Sequence, residues 1–381
     1  MPSELEALGQ DTRMRILADA RSLLPIGPGL GPTGVGRWTA GVIGGLSHHA
    51  PTWEIVLTIV TREPVTIDPS KFGPNVTVNN VRFPERGFRR ALVLGLAPRI
   101  DRFAGPSDVM LGPGFVTWPG RYARIPVIHD LAWLTHPESV QPRNLAYLRL
   151  MIPRVVRSAA GIVTVSDSVR DEIAERFEFD PARIFVVPNG CAPQPPPLPP
   201  EQREQLLFVG TFEPRKNLER VLEAYRLVRA ERPDVPELVV VGGPGWRGAE
   251  ELQRDAAGTP GVRTLGYIDD EHLGTLYRQA RMLLFPSLYE GFGLPIIEAM
   301  AAGTPVITSN RGAQAEVSGG AALLVDPLSS RDIADGITRL LDDTNLVQNL
   351  REQGGRVAAE FTWDRAGLAL KNAIESSVGK P

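Results

Sequence analysis

Pro286-Ser-Leu-Tyr-Glu290-Gly-Phe-Gly-Leu-Pro295-Ile-Ile-Glu298-Ala299 decides how this chain reads. The apolar run Arg281 to Phe285 before it predicts a buried strand, and a helix is expected to start near Leu294. Pro295 suits a first helical position, where an N–H would have no partner anyway. The free N–H groups of such a turn, with the helix dipole, make a natural anion site. Gly291 and Gly293 place no side chain between a ligand and the backbone. Glu290 and Glu298 flank the turn, so the stretch suits a ligand with phosphate in the middle and hydroxyl-bearing groups at both ends. A nucleotide sugar is such a ligand. A glycine-rich turn with a Glu in the following helix is also what plain helix capping looks like.

Composition sets the frame. A chain of 381 residues favours two domains, and 43% hydrophobic with 22% charged residues is an ordinary globular balance. The formal net charge of -3 does not suggest a nucleic-acid partner. Cys191 is the single cysteine, which excludes an internal disulfide and a cysteine-based zinc site and fits a reducing compartment. No apolar run is long enough to span a bilayer, and Met1 to Thr12 is polar and acidic, unlike a signal peptide. Residues 1–12 are expected to form a disordered tail.

Outward from the motif, strand and helix patterns alternate. Gln205–Gly210, Leu238–Gly242, Val262–Ile268, Pro305–Thr308 and Ala322–Val325 read as strands, with helices over Leu218–Ala230, Glu271–Ala280, Arg331–Leu341 and Val347–Glu360. The first half repeats the scheme: strands at Arg15–Ala20, Trp53–Thr61, Thr77–Phe83, Asp108–Leu111, Pro126–Ile128, Gly161–Ser166 and Arg183–Val187. Helices there are expected over Arg37–Leu46, Arg143–Arg157 and Ser168–Phe177. Such alternation predicts α/β folding with doubly wound sheets. Phe88–Phe103 reads as an arginine-bearing helix interrupted by Pro98, either a solvated face or a surface for a membrane or acceptor. Cys191-Ala-Pro-Gln-Pro-Pro-Pro-Leu-Pro-Pro200 reads as a semi-rigid linker, so a cleft between two Rossmann-like halves is expected.

Three further groups stand out. Arg215 and Lys216 follow a strand and precede a helix, where the dipole disfavours cations. An anionic ligand such as a diphosphate would explain the placement; a solvated pair is the alternative. His129 follows a strand at its carboxyl end, the edge that faces ligand in open α/β sheets, although taken alone it reads first as a hydrogen-bonded structural histidine. Thr33-Gly34-Val-Gly36-Arg37 lies between strand and helix but does not match G-x-G-x-x-G, so a dehydrogenase is not indicated.

Taken together, Gly34-Val-Gly36-Arg37, His129-Asp130, Glu213-Pro-Arg215-Lys216-Asn217 and the E-x7-E spacing of Glu290 and Glu298 resemble the retaining glycosyltransferases of family 4. The resemblance runs from about Arg15 to Trp363 and implies a GT-B fold, two Rossmann-like domains facing each other across a cleft. It implies an acceptor domain over 13–192, a linker over 193–204 and a nucleotide-sugar domain over 205–361. A C-terminal helix over 362–381 would pack back on the first domain.

The resemblance also implies roles. Glu298 would hold ribose hydroxyls and Glu290 donor-sugar hydroxyls. Arg215 and Lys216 would grip the diphosphate, helped by N–H groups around Phe292, Gly293 and Leu294. Gly34 and Gly36 would let the first domain close over the phosphates, and His129 would contact the donor sugar. Ile268 and Asp270 lie beside the expected base pocket, where Asp270 either meets guanine or caps the next helix. The wording of the motifs is most like GDP-mannose-dependent mannosyltransferases, with a UDP-sugar such as UDP-glucose as the alternative donor. No D-x-D occurs, so no diphosphate-binding metal and no further cofactor is expected. The acceptor would be a glycan, a glycoside or a lipid-linked glycan, and the setting cytoplasmic, with contact to the inner face of a membrane open. A glycosidase, a nucleotide-sugar epimerase, a phosphorylase and a non-catalytic sugar-nucleotide binder are the competing classes. The phosphate-type turn beneath the two glutamates argues against the glycosidase, and the phosphorylase would usually need a pyridoxal lysine that the sequence does not reveal.

Overall fold

The computed structural model describes residues 13–24, 33–243, 245 and 249–379. The expected tail over 1–12 and most of the loop before Thr33 lie outside the described residues. Seven parallel strands form the first sheet: β1 Arg15–Asp19, β2 Glu54–Thr61, β3 Val76–Arg82, β4 Val109–Gly112, β5 Ala123–Ile128, β6 Ile162–Thr164 and β7 Ile184–Val186. Their order is β3-β2-β1-β4-β5-β6-β7. Six parallel strands form the second: β8 Gln205–Val209, β9 Glu237–Val241, β10 Val262–Gly266, β11 Ala280–Phe285, β12 Val306–Ser309 and β13 Leu323–Val325, ordered β10-β9-β8-β11-β12-β13. Parallel strands are covered on both faces, which is why β2 reads as an unbroken apolar run and is buried except at its ends. In each sheet the order reverses once, at β1/β4 and at β8/β11. The loops leaving those strands therefore line a crevice.

The two halves share packing. Phe292, Ile297 and Val317 of the second half lie in the same core cluster as Ile16, Trp38 and Val127 of the first. The C-terminal helix Trp363–Val378 returns to the first half and lies against the helix Gly34–His49. Gly45 and Gly367 make that crossing close: a methyl added to Gly367 would lie 2.1 Å from the Gly45 carbonyl carbon. Leu370 and Ile374 are fully buried there, each stabilising the contact by about 1.5–3 kcal/mol. The chain passes between the halves twice, at the proline-rich segment and again at Phe361. The two passages touch, Cys191 N donating to Phe361 O at 2.8 Å. Arg203, buried and with no carboxylate partner among the described residues, fixes the proline-rich segment to the second half. It donates to the carbonyls of Leu198, Ala280 and Ala302 and to Thr304 Oγ1. Burial pulls its guanidinium down to about 10.

Some local expectations are corrected. Phe88–Phe103 is not one helix but two short ones, Glu85–Val93 and Asp101–Ala104, with Gly95 at φ +71° and Pro98 between them. Proline removes a donor and glycine favours the turn, so the periodic arginines do not sustain a single helix. Helices Ala249–Gly258 and Gly312–Val317 had no counterpart in the pattern. Among the described residues no helix is long and apolar enough to cross a membrane.

Candidate active site

The loops after β8 and β11 are stitched together. Asn217 takes a left-handed φ of 62° and donates from Nδ2 to the carbonyls of Pro286 and Pro327 at 2.8 and 2.7 Å. Leu288 N donates to Arg215 O at 2.8 Å. This brings Arg215 and Lys216 onto Glu290. Lys216 Nζ lies 2.7 Å from Oε1, and Arg215 Nη1 lies 3.0 Å from Oε2. Arg215 also donates to Tyr289 O at 2.8 Å and to Glu213 Oε1 at 2.6 Å. Burial by itself would raise the Glu290 carboxyl, but the Lys216 ammonium and the Arg215 guanidinium outweigh it and hold the group at about 2. Glu213 and Glu290 thus supply the anions that the sequence left to a ligand. The cluster carries two positive and two negative groups, and an incoming diphosphate would share its cations with Glu290.

Gly293, at φ +107°, starts the helix Leu294–Ala301, and no side chain caps that end. Pro295 occupies the second helical position rather than the first, where its missing N–H is still one of the unpaired first-turn donors. Phe292 is buried against Phe361, ring centroids 5.5 Å apart. Gly291 carries no Cβ because the other domain is in the way: a methyl there would lie 1.9 Å from the His129 carbonyl oxygen. Around this contact Ser166 Oγ donates to Gly291 O at 2.8 Å. Tyr289 OH accepts from Leu131 N and donates to Glu172, both at 2.9 Å. Glu316 accepts the amides of Asp167 and Ser168 at 2.8 Å each, so one half caps a helix of the other.

His129 sits at the carboxyl end of β5, as its position predicts. Its Nε2 lies 2.9 Å from Pro113 O, a pure acceptor, so that nitrogen carries the proton. Trp38 and Phe115 meet the ring edge-on at 5.3 and 5.9 Å. Burial pushes the imidazole down to about 4, against the opposing pull of the Pro113 carbonyl and Asp130, so it is neutral at physiological pH.

Glu298 is bridged from both sides. Tyr277 OH donates to Oε2 at 2.9 Å, and Arg37, from the first half, donates to Oε1 at 2.7 Å. A cavity of about 290 Å³ lies here, lined among others by Arg37, Asp270, Tyr277, Leu294 and Glu298. Gly34 lies beside Leu294; a methyl on Gly34 would lie 3.9 Å from Leu294 Cδ1. The Gly36 amide is taken by its own helix cap, donating to Thr33 Oγ1 at 3.2 Å. Ile268 is half-buried just beyond β10. The helix cap beside it is Asp269, which accepts from His272 N at 2.8 Å. Asp270 is therefore not the cap. It is exposed, with Oδ1 3.7 Å from Arg37 Nη1.

The structure thus gathers Arg215, Lys216 and Glu290 into one cluster and Glu298 and Asp270 into a second, with Phe292, Gly293 and Leu294 between them and His129 against Gly291. Arg37, Asn217, Tyr277 and Tyr289 were given no role by sequence reasoning. The one available signal was for Asn217, since asparagine tolerates the left-handed region better than other side chains.

Residues 14–190 match the family model described as glycosyl transferase 4-like domain, and residues 194–357 the one described as glycosyl transferases group 1. The chain is 36% identical over 279 residues to O-antigen chain mannosyltransferase B of Escherichia coli, covering 69% of this chain and 73% of that protein. It is 31% identical over 236 residues to the MMP alpha-(1->4)-mannosyltransferase of Mycolicibacterium hassiacum, covering 60% and 57%. Among solved structures, the sucrose-phosphate synthase of Thermosynechococcus elongatus superposes with a TM-score of 0.71 at 22% identity, covering 95% of this chain and 98% of that one.

Proposed function

This chain belongs to the glycosyl transferases of group 1, with a GT-B fold, and we propose that it moves mannose from GDP-mannose onto a glycan or glycoside acceptor with retention at the anomeric carbon. The observation that carries the proposal is the Arg215–Lys216–Glu290 cluster at the uncapped start of the Leu294–Ala301 helix, facing the first domain. Similarity to O-antigen chain mannosyltransferase B supports mannose as the sugar.

In this reading the diphosphate takes hydrogen bonds from Arg215, Lys216 and the amides around Phe292, Gly293 and Leu294. Glu290 receives sugar hydroxyls, Glu298 receives the ribose, and His129 contacts the sugar while neutral. The bond between the anomeric carbon and the phosphate oxygen breaks, its electron pair leaving with the phosphate. The acceptor oxygen bonds to the anomeric carbon on the same face, and its proton passes to the departing phosphate oxygen. Negative charge grows on the diphosphate as the sugar becomes cationic, and fixed cations aimed at that charge lower the barrier. The absence of a D-x-D sequence leaves this work to Arg215, Lys216 and the helix end.

The test is a thermal-shift panel of GDP-, UDP- and ADP-sugars. A ligand that binds only the folded state raises its stability by mass action. A shift with GDP-mannose alone is expected; a shift with UDP-glucose alone would replace the donor. No shift with any would remove the donor reading. Transfer should vanish in Arg215→Ala and Glu290→Ala while the proteins stay folded.

A further inference from the structure

We propose that His48, His49 and Asp364 form a divalent transition-metal site, suited to Zn2+, that fastens the C-terminal helix to the first domain. The three ligand atoms lie within 4.8 Å of one another. His48 Nδ1 is 2.7 Å and His49 Nε2 3.1 Å from Asp364 Oδ1. Consecutive side chains on a helix do not normally face each other. Here both rings turn onto one oxygen, their centroids 4.9 Å apart.

His49 Nε2 is also buried and makes no aligned hydrogen bond, despite its closeness to the carboxylate. A hydrogen bond needs the proton aimed at oxygen. A cation needs only that the nitrogen lone pair and the carboxylate converge on one point. Two imidazoles and a carboxylate are a zinc donor set, and with Zn–N and Zn–O of about 2.0–2.2 Å a tetrahedral ion would hold its donors about 3.3 Å apart. The two nitrogen–oxygen separations, 2.7 and 3.1 Å, reach that by opening, and the two ring nitrogens, within 4.8 Å of each other, by drawing together. The fourth position would be taken by water.

The surroundings favour a cation and hold the donors in place. Both histidines are in the last turn of the Gly34–His49 helix, whose carbonyl end carries partial negative charge. Asp364 is in the first turn of the Trp363–Val378 helix. The two helices cannot slide easily, since Gly45 meets Trp363 O and Gly367 at backbone contact and Gly41 packs under the Trp363 ring. A bound ion would join the Trp363–Val378 helix to the Gly34–His49 helix at this crossing.

The experiment uses the full chain with any affinity tag removed and metal stripped by chelator. Titration calorimetry with ZnCl2 should give one ion per chain, and Co2+ should produce the visible absorption of a tetrahedral site. Asp364→Asn and His49→Gln should each weaken Zn2+ binding by at least about tenfold, the scale at which even supporting residues act. They should also abolish a Zn2+-dependent rise in melting temperature. Two variants at different helices guard against one that fails to fold. Absence of zinc binding, or wild-type binding in either folded variant, overturns the proposal and leaves the glycosyl-transfer reading untouched.

Discussion

Arg37 Nη1 and Glu298 Oε1, which belong to different domains, are hydrogen-bonded at 2.7 Å across the cleft. The acid expected to hold the donor's ribose is therefore already gripped by a cation of the opposite wall, and burial notwithstanding, Glu298 and Asp270 raise the Arg37 guanidinium above its usual value. Arg37→Ala removes a charge-assisted bond of about 1.5–3 kcal/mol. The expected outcome is an expanded radius of gyration by solution scattering and donor binding weakened roughly tenfold, about 1.4 kcal/mol. Arg37→Lys should recover only part, lacking the planar fork. Unchanged scattering and affinity in the alanine variant would show that the bridge is idle.

Glu290→Gln strips the carboxylate from two buried cations. Breaking one partner of such a pair costs about 3–5 kcal/mol, so a stability loss near the low end is expected by urea denaturation, with a fall in turnover of about a hundredfold or more. The wild type should also show a distinctive acid limb. Its Glu290 is held at about 2 against an ordinary 4.5, so the stabilisation it gives is complete above about 4.5 and is lost as pH falls towards 2. The variant should be flatter over that interval.

His129 tests a different interval. Its imidazole is held at about 4 against an ordinary 6.5. Between those values the unfolded chain binds a proton that the folded chain refuses, so stability falls with falling pH by up to about 1.4 kcal/mol per unit. His129→Gln can still donate to Pro113 but cannot titrate. The difference between wild-type and variant unfolding free energies should therefore change between pH 6.5 and 4 and level off outside. A parallel pair of curves would mean that His129 binds a proton as readily in the folded chain as in the unfolded one.

Gly291→Ala is a steric probe with no backbone-conformation penalty, because Gly291 is not among the positive-φ residues. The added methyl meets the His129 carbonyl at 1.9 Å, and overpacking of this kind costs about 1–3 kcal/mol. The domains must part at the floor of the cleft. Transfer should drop far more than stability does, which kinetics and a melting curve on the same sample will separate.

What the sequence made legible follows from physics that acts locally. Every strand expected in the sequence is present, and those buried on both faces, such as β2, left the plainest signal in single residues. Gly293 and Pro295 announced a helix start because their backbone limits are intrinsic. The Phe88–Phe103 segment misled because arginine spacing reports an exposed face whether or not one helix continues beneath it. The reading of Asp270 as a helix cap missed by one residue, since the cap is Asp269, and propensity does not resolve helix phase that finely. Arg37, Tyr277 and Tyr289 act through partners 261, 21 and 117 residues away. Sequence spacing does not announce those pairs, so only the folded arrangement reveals that Glu298 and the cleft floor are held from across the gap.

The side-by-side passage of the chain at Cys191 and Phe361 has a mechanical consequence. Two cords fastened at neighbouring points permit swinging about the line through them but resist shear and twist elsewhere. The jaws of this enzyme would then open along a single coordinate, with Arg37 and Glu298 on facing jaws. One pair of spectroscopic labels spanning those jaws should suffice to follow every catalytic cycle from gaping to shut.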